Sequence, residues 1–108
     1  MEIHDYKTES GKNLIIEYIN KLPIEEKAEA LKVRYNITKF GLEAFRFLNT
    51  RQLYKKLWEI KISRNRIMYV IADSKNVFFL HACKKQKDKA EKFELDKAIK
   101  RAKNINLL

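Results

Sequence analysis

The chain is poor in the residues that break or staple a fold: its 108 residues include one proline, two glycines and one cysteine. With Cys83 alone, no intrachain disulfide can form, which excludes the disulfide-built scaffolds of small secreted proteins. Gly11 and Gly41 are too few for a glycine-rich loop that cradles phosphates, whether of the Walker or the dinucleotide type. Scarce glycine and proline also leave little material for long irregular loops, so ordered elements should fill most of the sequence. His4, His81 and Cys83 do not supply the four ligands of a structural zinc site, and no metal or other cofactor is expected. No serine or cysteine stands with a histidine in the pattern of a nucleophilic triad. No apolar run approaches the ~20 residues of a membrane span, and "MEIHDYKTES" lacks the apolar centre of a signal peptide. The expectation is a soluble, cytoplasmic protein with no membrane contact.

Positive charge is what the chain has in excess. Twenty-four Lys and Arg stand against 14 Asp and Glu, a formal net charge of +10. A field of that sign concentrates polyanions at the surface, so nucleic acid is the leading partner and an acidic protein the second. Nine basic and four acidic residues lie between Lys84 and Lys103, which places half of the net charge in the last fifth of the chain. A composition of 45% hydrophobic and 35% charged residues is that of a globular chain, and its length fits one domain, residues 1–108.

The hydrophobic pattern predicts an α+β fold. "MEIHDYK" alternates as an edge strand does. Ser10 offers an N-cap to a helix through "KNLIIEYINKL", which Pro23 interrupts. Pro23 then suits the first turn of a second helix, "IEEKAEALKVRYNITKF", with Ile24, Ala28, Leu31, Tyr35 and Thr38 along one stripe, Val33, Ile37 and Phe40 along an adjoining one, and Gly41 as its stop. The two helices read as an N-terminal αα-hairpin. "LEAFRFLNTRQLYKK" has no clean period and reads as a connection. "LWEIKIS" alternates, with Trp58, Ile60 and Ile62 on one face and Leu57, Glu59 and Lys61 on the other. "RNRIMYVIAD" and "NVFFLHAC", joined by the polar "DSKN", read as a β-hairpin. Asp88 and Glu91 have the spacing of an acidic capping box that opens a C-terminal helix. The sum is a small antiparallel sheet with helices packed on one side.

If these three strands are antiparallel neighbours, Lys61, Arg64, Arg66, Lys84, Lys85 and Lys87 gather at one end of the sheet. Such a basic pocket suits phosphodiester chemistry on RNA, whose 2′-hydroxyl is its own nucleophile. The protein then has to orient that group, neutralise the phosphorane and protonate the leaving oxygen. The same residues have plainer readings. A basic run before a helix is usually a solvated surface, His81 between Leu80 and Ala82 is more often buried and satisfied than catalytic, and Glu59 can pair with a nearby cation. Trp58 and Tyr69 fit the core, and Cys83 fits a small buried residue without reactivity.

The span "LWEIKISRNRIMYVIADSKNVFFLHACKKQKDKAEKFELDKAIKRAKNI" resembles the C-terminal half of the RelE/HigB superfamily of toxins, and within it the phage-derived HigB-like branch. Trp58, Glu59 and Ile60 stand where that branch has "WELR". Arg66 and Tyr69 match an arginine that opens the next strand, and Lys84, Lys85, Gln86 and Lys87 stand in place of "KKTQKTP". The resemblance implies a RelE-like fold and the toxin half of a type II toxin–antitoxin pair. Such a toxin is usually a metal-independent endoribonuclease that cuts mRNA on the ribosome and inhibits translation. It implies an antitoxin partner, of the helix-turn-helix HigA-like kind, that covers the basic face. Carried over by position, Arg66 binds phosphate, and Lys61 and Lys85 act in proton transfer or charge stabilisation. Arg64, Lys84 and Lys87 hold RNA. The general base stays open among Lys61, Lys85, His81 and Glu59. Two rival functions also stay open: a ParE-like gyrase poison on the same fold, and a nucleic-acid-binding protein without enzymatic activity.

Overall fold

A computed structural model describes residues 1–108. The element order is β1 (Glu2–Asp5), α1 (Leu14–Asn20), α2 (Ile24–Phe40), a 3₁₀ helix (Gly41–Phe47), β2 (Thr50–Tyr54), β3 (Leu57–Ile62), β4 (Asn65–Asp73), β5 (Asn76–Lys84) and α3 (Asp88–Asn104). This is the expected α+β class, with corrections to the sheet and to its helical cover. The sheet has five strands in the order β1-β5-β4-β3-β2, and it is mixed, because β1 runs parallel to β5. The αα pair is not N-terminal, since β1 precedes it and supplies an edge of the sheet. "TRQLY", read as part of a connection, is the opposite edge strand, antiparallel to β3.

Side-chain alternation sorts the sheet into two faces. Ile60, Ile62, Ile67, Tyr69, Val77 and Phe79 face the first layer, where Ile15 and Ile19 of α1, Ala30 and Ile37 of α2 and Ala44 meet them. Leu57, Met68, Val70, Leu80 and Cys83 face the second layer, against Ala98 and Ala102 of α3. Helices therefore cover both faces, not one. The β4–β5 ladder steps from Met68↔His81 to Tyr69↔Phe79, a bulge that leaves Leu80 as the extra residue and adds it to the α3 side.

Local chemistry explains the other departures. Asn13, not Ser10, caps α1, its Oδ1 accepting from the backbone N–H of Ile15 at 3.1 Å and of Ile16 at 2.9 Å. Ser10 instead meets Thr8 in a turn completed by Gly11 at φ 87°. The capping box at α3 does not form: Lys87 takes the cap position without a side-chain bond, and Glu91 is drawn to Arg51. Trp58 is not in the core but 37% exposed, beside an open pocket that Phe45, Thr50 and Tyr69 also line. Tyr69 is core as expected, beside Phe45 and Phe79. No helix is long and apolar enough to cross a membrane.

Candidate active site

Ladder register lays two rows of side chains across the α3 face. Lys61, Arg66 and Cys83 are successive partners across β3, β4 and β5. Two residues along, Arg51, Glu59, Met68 and His81 form a second row from β2 to β5. Ala98 and Ala102 of α3 close on the apolar end of this face, whereas Glu91 and Glu94 of its first turns border the charged end. The result is an open pocket between the sheet and α3, bordered by Lys61, Arg66, Lys84, Lys85 and Lys87, with Glu59 at its side.

The structure thus brings six of the eight proposed site residues to one place. Arg66 is anchored through Nη1, which donates to the backbone oxygens of Ser63 at 3.1 Å and Asn65 at 2.9 Å. Nε and Nη2 keep the planar fork that suits a phosphate. Lys61, Lys85 and Lys87 take no ion pair within the chain, so their charges are not cancelled internally. Lys84 borders the pocket, but its ammonium donates to Asn65 Oδ1 at 2.9 Å and lies 3.7 Å from Glu26.

Arg64 and His81 lie outside the pocket lining. Arg64 is exposed on the two-residue β3–β4 turn, where its carbonyl accepts from the N–H of Lys85 at 2.7 Å. His81 is buried behind the pocket with both ring nitrogens occupied: Nε2 bonds Glu94, and Nδ1 faces Arg101 Nη1 at 3.0 Å. Burial lowers the His81 pKa, and Arg101 and Lys97 push the same way against Glu94. Because Arg101 can only donate, Nδ1 accepts and the proton sits on Nε2, aimed at Glu94.

Three charged residues of the pocket, Arg51, Glu91 and Glu94, were not among the site residues expected from the sequence. Arg51, on the strand that was not recognised, spans two carboxylates, with Nε 2.9 Å from Glu59 Oε2 and Nη2 2.8 Å from Glu91 Oε1. Glu59 is 3% exposed, and its Oε2 has no hydrogen-bond partner. Arg51 is the ion-pair partner of that oxygen. Glu91 and Glu94 come from α3, and their three-residue spacing places both on one side of the helix.

His81, Cys83 and Glu94 hold their ligand atoms within 4.8 Å of one another. Metal binding there would need His81 Nε2 without its proton, and the Arg101 donor on Nδ1 opposes that tautomer. Burial, reinforced by Glu94, pushes the Cys83 thiol up to about 12, so the thiolate a metal prefers is also disfavoured. The trio fits a buried link between β5 and α3 better than a metal centre.

The family described as Phage derived protein Gp49-like (DUF891) matches residues 17–103, a span that contains every residue of the pocket. Comparison with curated proteins found no match.

Proposed function

We propose, because the chain belongs to the Gp49-like family of phage-derived proteins, a RelE-like toxin family of toxin–antitoxin systems, that it is a HigB-like toxin that cleaves mRNA on the ribosome. The observation that carries this reading is the pocket itself. Lys61 and Arg66, on either side of one turn, and Lys84–Lys87, some twenty residues further on, share it with the buried carboxylate of Glu59.

The chemistry follows from what each side chain can do. Glu59, at the side of the pocket, takes the proton of the RNA 2′-hydroxyl, whose oxygen attacks the adjacent phosphorus. Arg66 and the neighbouring ammonium groups neutralise the phosphorane. The P–O5′ bond breaks, and the leaving oxygen takes a proton from Lys61 or Lys85. One proton enters the protein and one leaves it, giving a 2′,3′-cyclic phosphate and a 5′-hydroxyl. The substrate brings its own nucleophile, so the scheme calls for no metal. Lys87 and Arg64 hold the message or ribosomal RNA, and an acidic antitoxin that covers this face would block all of these contacts. His81, enclosed by Glu94 and Arg101, has no role in the scheme.

Induced expression tests it. The wild-type chain should arrest growth and produce mRNA ends at fixed positions within codons, each with a 5′-hydroxyl, while Arg66→Ala should be tolerated with no such ends. Growth arrest with a DNA-damage response and intact messages would instead mean a gyrase poison. RNA binding without cleavage, with translating ribosomes supplied, would mean a binding protein only.

A further inference from the structure

Asn65 is a polar residue that the site does not yet account for, 2% exposed and directly before Arg66. Its carboxamide is fully used. Nδ2 donates to Glu26 Oε1 at 2.9 Å and to the carbonyl of Ile62 at 3.2 Å, and Oδ1 accepts from Tyr18 Oη at 2.6 Å and Lys84 Nζ at 2.9 Å. Two donors and two lone pairs are all such a group has. Its orientation is fixed by chemistry, since an ammonium can only donate and a carbonyl can only accept. Burial pushes the Tyr18 phenol up to about 12, so that group keeps the proton it donates. One side chain thereby joins α1, α2, the end of β3 and the end of β5.

The turn that Asn65 closes needs such support. Ser63 has φ 56°, a left-handed conformation that a non-glycine residue adopts only when its surroundings hold it there. The carbonyls through the turn are all engaged: Ile62 by Asn65 Nδ2, Ser63 and Asn65 by Arg66 Nη1, and Arg64 by the Lys85 N–H. Arg66 is therefore anchored to the turn whose shape Asn65 fixes, and Lys84 and Lys85 are tied to that same turn from the other strand. We infer that Asn65 is the positioning residue of the pocket: its carboxamide fixes the β3–β4 turn that aims the Arg66 guanidinium and locks the Lys84–Lys85 segment beside it. This rests on the phosphate-binding role proposed for Arg66, and adds how that group is held.

Two measurements test it, one independent of RNA. In arginine-labelled protein, Arg66 should give separate, slowly exchanging Nη resonances, identified by their loss in Arg66→Lys. They should collapse to the averaged signal of a solvated arginine in Asn65→Ala and in Asn65→Asp, which loses both donors. Tyr18→Phe removes one of the four bonds and keeps the fold in reserve, and it should speed Arg66 Nη exchange at least roughly threefold. Unchanged Arg66 signals in the folded variants would overturn the inference. The second measurement is fluorescence anisotropy with a short single-stranded RNA. Arg66→Ala and Asn65→Ala should each weaken binding roughly tenfold, and the double variant no further. Additive losses would leave Asn65 with a stability role only. If Arg66→Ala binds as wild type does, the proposed function fails, while the resonances still decide the role of Asn65.

Discussion

Burial holds His81 below the ordinary histidine range, and Arg101 and Lys97 add to that against the opposing Glu94 carboxylate. The unfolded chain takes up this proton near the ordinary value of 6.5, whereas the folded chain waits for a lower pH. Between the two, the unfolded state binds more protons, so stability falls as pH drops below 6.5 and levels off once the folded histidine is also protonated. Most carboxylates titrate below about pH 5, which leaves a window where the histidine stands out. Urea midpoints measured between about pH 7 and 5 should fall with acid in the wild type and stay nearly flat in His81→Gln. An equal slope in both would remove His81 from the pH response. The same burial that makes this histidine a stability element withdraws it from the chemistry, a distinction that the residue type alone does not carry.

Helix α2 is apolar on two opposite sides, and the fold uses only one of them. Ala30 and Ile37 are buried, while Ile24, Leu31 and Tyr35 are 83%, 42% and 57% exposed. Ile37→Ala should therefore cost about 2–5 kcal/mol, as core truncations do, and Ile24→Ser and Leu31→Ser no more than ~0.5 kcal/mol each, all read from urea unfolding. A reversed order would mean that the helix packs by its other face. The sequence reading sets out both stripes, Ile24 to Thr38 and Val33 to Phe40, without choosing between them, because spacing identifies apolar stripes but not which of two meets the sheet. The buried stripe is disguised by Arg34, which reaches Asp5 on β1 through two bonds of 2.7 and 2.8 Å. The central strands were legible because β3 alternates and β4 and β5 are continuously apolar, and their order alone gathers Lys61, Arg66 and Lys85. β2 was not, because an edge strand carrying Arg51 and Gln52 buries too little to show a period. Missing β2 meant missing Arg51, and with it the clamp on Glu59 and Glu91. The parallel seat of β1 is likewise set by tertiary packing and not by alternation, and Asn65 gave no signal because a lone asparagine beside a turn is ordinary.

For the whole molecule, a net charge of +10 predicts affinity for polyanions, RNA in the function proposed, but not where it resides. The structure separates cations that are free from cations already engaged. Lys61, Arg66, Lys85 and Lys87 border the pocket without an ion pair, whereas the ammonium of Lys84 is held by Asn65 and Glu26. Each phosphate contact made by a free cation releases counterions, which lowers log affinity by about 0.7 per contact for every decade of added salt on single-stranded RNA. Four such contacts predict a slope of about −3 for the wild type, and Lys87→Ala should make it shallower by roughly 0.7. Lys84→Ala should leave the slope itself unchanged, because its charge is spent within the fold. It should lower affinity at every salt concentration by a similar factor, since removing it releases Asn65 Oδ1 and loosens the turn beneath Arg66. Titrations of a short single-stranded RNA from about 50 to 200 mM salt resolve these slopes. A slope that drops as much for Lys84→Ala as for Lys87→Ala would mean that the ammonium leaves Asn65 to meet RNA, and that the basic face is set by total charge and not by how the fold distributes it.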